Sequence, residues 1–138
     1  MRQALHHITV ETTGKGLTEI TRPIASWLAG QGIQTGLLTV YCRHTSASLI
    51  VQENADPDVR ADLEAYFERI APESSGYAHM IEGPDDMPAH IRAALTQTQL
   101  AIPVESGRMA LGTWQGIYLF EHRRAPHRRD VILHLFGA

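Results

Sequence analysis

The sequence predicts an α+β fold in one domain: an antiparallel β-sandwich or strongly curved sheet carrying two to three helices. Three observations predict it. Apolar and polar residues alternate along many short stretches, almost without interruption after residue 98. Segments with helical spacing interrupt these stretches earlier in the chain, and two of them open on an Asp with a Pro close behind. With 138 residues the chain is long enough to bury about two thirds of its unfolded surface around one core.

The elements follow in order. Residues 3–12 alternate, with His6, Ile8, Val10 and Thr12 on one face and Leu5, His7, Thr9 and Glu11 on the other, which is a strand. Gly14-Lys15-Gly16 breaks it. From Thr18 the spacing turns helical, with Ile20, Ile24, Trp27 and Leu28 on one stripe. Pro23 fits the first turn of that helix, and Gly30 and Gly32 end it. Residues 34–43 are rich in strand formers, and 48–52 resume that character after His44-Thr45-Ser46-Ala47. Asp56-Pro57 starts a second helix, whose stripe is Val59, Leu63, Phe67 and Ile70 with Tyr66 at the margin. Asp86 and Pro88 start a third, with Ile91, Ala94 and Leu95 facing inward. Strands at 100–104, 108–111, 117–121 and 131–136 complete the chain, with Ser106-Gly107 as a turn.

Composition excludes several classes. Apolar content of 43% and charged content of 20% are those of a globular chain. No apolar run reaches the roughly 20 residues that span a bilayer, so no membrane partner is expected. Met1-Arg2-Gln3-Ala4-Leu5-His6-His7 lacks the apolar centre of a secretory signal. The formal charge of -3 argues against a nucleic-acid partner. One basic run, His122 to Arg129, reads as a solvated hairpin loop or as a phosphate site. Cys42 is the only cysteine, which fits a reducing, cytoplasmic setting.

Four constellations could carry chemistry. Tyr77 to His90 gathers His79, Glu82, Asp85, Asp86 and His90 around a Gly83-Pro84 turn, and imidazole beside carboxylate suits a metal, a proton transfer or both. Asp86 and His90 share a helix face, where Asp86 acts as the helix cap that aims His90. His44-Thr45-Ser46-Ala47-Ser48 either presents an imidazole to a cleft or ends an edge strand with a hydroxyl-rich turn. Together His44, His79 and His90 could supply three imidazoles to one divalent ion, zinc by this donor set, leaving a coordination position open. Glu53 and Asn54 precede the second helix, where Glu53 is either a general base or a loop carboxylate. Finally, Gly112-Thr113-Trp114-Gln115-Gly116 interrupts a strand pattern, so Trp114 either stacks on a ligand ring or packs in a core or interface. Cys42 and the serines lack the surroundings of a nucleophile.

Four ordered segments, His44-Thr-Ser-Ala-Ser-Leu, Glu53-Asn-Ala-Asp-Pro-Asp-Val, Glu82-Gly-Pro-Asp-Asp-Met-Pro-Ala-His-Ile and Leu111-Gly-Thr-Trp-Gln-Gly-Ile-Tyr-Leu-Phe-Glu-His-Arg, resemble the YjbQ-like family, also called the secondary thiamine-phosphate synthase enzyme family. The likeness spans nearly the whole chain and implies one such domain over residues 1–138. It implies a homotrimer with a metal-binding cleft whose ligands are His44, His79 and His90. It places Glu53 and Glu82 as catalytic carboxylates and Asn54, Asp86 and Trp114 as substrate-binding residues. The implied activity joins a pyrimidine diphosphate to a thiazole phosphate with release of pyrophosphate, with Arg43, Arg108 or Arg123 neutralising the leaving group. A metal-dependent hydrolase and a non-catalytic trimeric ligand-binding protein are the rival expectations. In each case the partner is a small molecule.

Overall fold

The computed structural model describes residues 1–74 and 76–138. Among the described residues, eight strands and three helices run in the order β1 (Arg2–Glu11), β2 (Gly16–Glu19), α1 (Thr21–Ala29), β3 (Thr35–Cys42), β4 (Ala47–Glu53), α2 (Pro57–Ile70), α3 (Asp86–Leu95), β5 (Gln99–Glu105), β6 (Arg108–Met109), β7 (Gln115–Glu121) and β8 (Arg128–Gly137). The described pairings are all antiparallel. They build a five-stranded sheet in the order β1-β8-β3-β5-β6 and a three-stranded sheet in the order β2-β7-β4. This is the expected α+β domain.

The alternation read from the sequence sets the layers. Val10, Leu38, Val40, Leu133 and Leu135 face inward from the large sheet, and Leu49, Ile117 and Leu119 from the small one. Ile24 and Leu28 of α1 join the same core. At the outward face of the small sheet, Phe120 meets Phe67 of α2 edge-on, with ring centroids 5.3 Å apart. Arg60 of α2 reaches the Tyr118 hydroxyl at 3.2 Å.

Three local expectations are corrected. Residues 16–19 form β2, paired with Tyr118–Glu121, rather than the start of α1. Four residues are too few to show a period, and Thr18 belongs to the strand because β7 supplies its hydrogen bonds. In α2 the expected stripe is only half-buried at Val59, Leu63 and Phe67, and Ile70 is exposed, because α2 stands off the sheet on long side chains. In α3 the inward face is Asp86, Ala89, Arg92 and Ala93, while Ala94 and Leu95 are exposed and Ile91 is half-buried. The helix is turned because Asp86 and Arg92 are both paired and so can be buried; an apolar pattern cannot register buried charges that carry their partners with them.

Candidate functional site

α3 and the loop before it build the site. Gly83, with φ 100, turns the chain so that residues 79–82 lie back toward the helix start. Asp56 caps α2 as expected, its carboxylate accepting from the Asp58 amide at 2.9 Å. Asp86 does not cap α3. The cap position is Asp85, and Asp86 is the first helical residue. Its carboxylate turns instead to two imidazoles and a guanidinium. Asp86 Oδ2 accepts from His79 Nε2 at 2.7 Å and faces His90 Nε2 at 3.0 Å. Asp86 Oδ1 accepts from Arg123 Nη1 at 2.8 Å. Asp85 Oδ2 accepts from Arg123 Nε at 3.0 Å and from the Arg124 amide at 2.9 Å. The Glu82 carbonyl accepts from Arg123 Nη2 at 2.8 Å, so one guanidinium ties the whole loop to the end of β7.

The electrostatics follow from this packing. Burial alone would raise the pKa of Asp86, whose side chain is only 4% exposed. The His79 hydrogen bond and the charges of His90 and Arg123 outweigh that, and the carboxyl is held below its ordinary value. Asp85 behaves the same way: burial would raise it, and the Arg123 hydrogen bond with the Arg124 amide brings it down.

His90 carries the geometry that matters most. Its Nδ1–H donates to the Thr45 carbonyl at 2.8 Å. That bond fixes the ring and leaves Nε2 aimed at Asp86 Oδ2. A lone pair against a carboxylate oxygen is repulsive, so Nε2 must either carry a second proton or share a cation with the carboxylate. A backbone carbonyl on the far nitrogen is the usual orienting partner of a metal-ligating histidine. Ligand atoms of His79, Asp86 and His90 all lie within 4.8 Å of one another. The two imidazole centroids are 5.7 Å apart, with planes at 59°.

The other expected residues divide in two. His44 stays near the trio without joining it. Its Nε2 accepts the Asp130 amide at 2.8 Å, and burial together with the Arg129 charge lowers its pKa. It shares with His90 the wall of a cleft of about 230 Å³, completed by Thr45, Ala93, Ala94 and Thr98. Glu53, Asn54 and Trp114 lie at the other end of β4, about 20 Å away along a seven-residue strand. There Glu53 accepts from the Ala55 and Asp56 amides at 3.1 and 2.9 Å, holding the approach to α2. Asn54 Nδ2 donates to Glu19 at 3.3 Å, and the Trp114 ring is 61% exposed. Glu82 is exposed on the turn.

The family model described as "UPF0047 protein YjbQ-like" matches residues 6–138. The chain belongs to the UPF0047 family. A UPF0047 protein of Synechocystis is 52% identical over 137 residues, covering 99% of this chain and 93% of the relative. UPF0047 protein YjbQ of Salmonella typhimurium is 45% identical over 94% of this chain and 95% of its own. A crystal structure from Clostridium acetobutylicum, described as an uncharacterized conserved protein of the yjbq/upf0047 family, superposes with a TM-score of 0.88 at 32% identity, over 95% of this chain and 99% of that one.

In this UPF0047 chain the middle of the basic run 122–129 is the exposed loop expected of it, with Arg124, Pro126 and Arg128 in solvent, but its two ends are not. His122 and Arg129 are buried, and Arg129 pairs with the buried Glu121. His122 Nε2 lies 2.8 Å from the Ser48 hydroxyl, while its Nδ1 is buried without a partner among the described residues. Burial, with help from the Arg92 charge, pushes its pKa down to about 3. Arg123, expected as an anion partner for the leaving group, instead clamps Asp85 and Asp86. Its acidic partners lie 37 and 38 residues away in sequence, a spacing that no local pattern links.

Proposed function

We propose that this UPF0047 protein is a metal-dependent enzyme acting on a small phosphorylated or heterocyclic substrate. The observation that supports it is the convergence of His79 Nε2, His90 Nε2 and Asp86 Oδ2, with His90 oriented by the Thr45 carbonyl and Asp86 by Arg123. Two imidazoles and one carboxylate fit a divalent ion, zinc in the first place, and leave a position open. Bound there, the ion would supply Lewis acidity to a substrate oxygen or to water.

The chain's own residues do the rest. Asp86 and Arg123 keep the donor atoms in place. His44 and Thr45 wall the adjoining cleft and position the substrate. Glu82, on the same loop as His79, is the carboxylate that moves protons; Glu53 is committed to backbone amides at the far end of β4. The reaction to test first is the thiamine-phosphate-synthase-like joining of a pyrimidine diphosphate to a thiazole phosphate. A panel of phosphate esters tests the hydrolase reading beside it. Turnover of the coupling pair, lost in His90→Ala, supports the transferase. Turnover of the esters alone moves the assignment to hydrolysis. Metal-loaded protein without turnover on either contradicts the enzyme reading.

We further infer a homotrimer. The outward face of the large sheet carries Phe136 beside Leu37, and Leu37 beside Pro103, in one cross-strand row, with Tyr41 beside Ile132 four residues along. Leu37, Tyr41 and Phe136 are each about 45% exposed, an apolar surface suited to self-association. Among the described residues no helix is long and apolar enough to cross a membrane, and the single buried cysteine fits a cytoplasmic setting.

A further inference from the structure

A second polar groove lies on the opposite side of α3 from His90. Two residues along a helix is a turn of about 200°, so Arg92 points away from the histidine cleft. The groove runs between α2 and the outer face of β7 and has a volume of about 380 Å³. Ala61 and Ala65 of α2 leave the space open, Phe67 and Phe120 line it with aromatic surface, and Lys15 and Arg92 bring two cations to it.

These cations share one carboxylate, and Arg92 Nη2 donates besides to the Ala71 carbonyl at 2.9 Å. Lys15 Nζ and Arg92 Nη1 both donate to the same oxygen, Glu68 Oε1, at 2.6 and 3.2 Å. The Arg92 side chain is only 4% exposed, yet its Nε–H is buried without an acceptor among the described residues. The one side-chain carboxylate it holds, Glu68, is 48% exposed on a flexible stem. The other acid in the groove, Glu64, is already taken by the Leu17 amide at 3.1 Å. Rotating Glu68 into solvent would leave Lys15 and Arg92 facing the groove against one committed carboxylate. That is a net positive cavity with aromatic walls.

We propose that this groove is a binding site for a small organic anion, a phosphate monoester or carboxylate bearing a flat apolar group, whose charged end replaces Glu68 between Lys15 and Arg92. The apolar part would lie against Phe67 and Phe120, which already pack edge to face. Glu68 is then an internal stand-in for the ligand, and its removal should help binding rather than harm it. The site is separate from the histidine cleft and does not depend on a metal.

Titration calorimetry with phenyl phosphate, benzoate and inorganic phosphate tests this on wild-type protein and on the surface variants Lys15→Gln and Glu68→Gln. Phenyl phosphate or benzoate should bind, and the tighter of the two names the headgroup; inorganic phosphate should bind more weakly for want of the ring. Lys15→Gln should weaken binding by about tenfold, as for loss of one charge-assisted hydrogen bond. Glu68→Gln should tighten it. His90→Ala should leave it unchanged. No binding of either aromatic anion would overturn the proposal, as would equal affinity in Lys15→Gln, weaker binding in Glu68→Gln, or loss of binding in His90→Ala.

Discussion

Arg123 Nη1 holds Asp86 by Oδ1, the oxygen that the two imidazoles leave free. One carboxylate therefore serves two masters from its two sides: a structural cation behind it and a pair of histidines in front. The site is assembled from a loop, a helix start and a strand end, which Arg123 joins through Glu82, Asp85 and Asp86. The Arg123 and Asp86 side chains are 16% and 4% exposed, so little solvent screens the contact.

Removing the cation should show how much the loop depends on it. Arg123→Met takes the cation from both buried carboxylates, leaving Asp86 its histidine partners and Asp85 only backbone amides. Breaking such a pair from one side costs about 3 kcal/mol, or about 10 °C in melting temperature for a domain of this size. Thermal denaturation of the variant checks this. A loss under about 2 °C would mean that the loop is held by other contacts.

The buried His122 should give the protein an acid-sensitive limb. Its folded pKa is depressed from 6.5 to about 3, so its contribution is fully present above pH 6.5 and declines as the pH falls toward 3. The lowered carboxyls act further down, since their free values are 3.8 to 4.5. Between pH 7 and 5 His122 alone should therefore remove about 2 kcal/mol of stability, with His44 adding in the same direction. Urea denaturation across that range should show the slope in wild type and a shallower one in His122→Asn. Equal slopes would mean that His122 is not buried as a neutral ring.

What the sequence disclosed follows from what is local. Alternation located the long strands, and Asp56-Pro57 announced α2, because both signals lie within a few adjacent residues. His79 and His90 could be singled out because they flank one acidic turn. The ligand geometry was harder to read. Asp86 looks like a cap at a helix start, yet its true partners include Arg123, far along the chain. His44 looks like a third imidazole for the trio, yet the Asp130 amide, supplied by β8, takes its Nε2. β2 stayed hidden because four residues after a glycine pair show no period of their own.

Glu53 separates a structural from a catalytic reading. Its carboxylate holds two amides ahead of α2, so Glu53→Ala should cost about 1 kcal/mol of stability. Activity per folded molecule should change little. A fall of about 100-fold in kcat with unchanged stability would instead make it a general base.

The outer sheet face should decide the oligomeric state. Leu37 and Phe136 sit side by side there. Placing a charge at each, as Leu37→Glu with Phe136→Glu, should convert a trimer to a monomer by light scattering while the circular dichroism spectrum is kept. A wild-type protein that is already monomeric would contradict the assembly.

The most direct test of the account is metal content. Protein purified without a histidine tag and dialysed against trace zinc should hold one ion per chain. His79→Ala, His90→Ala and Asp86→Asn should each lose it, with His44→Ala retaining it, as their side chains are placed. A wild-type protein that binds no divalent ion, or one whose metal survives all three losses of His79, His90 and Asp86, would contradict the site.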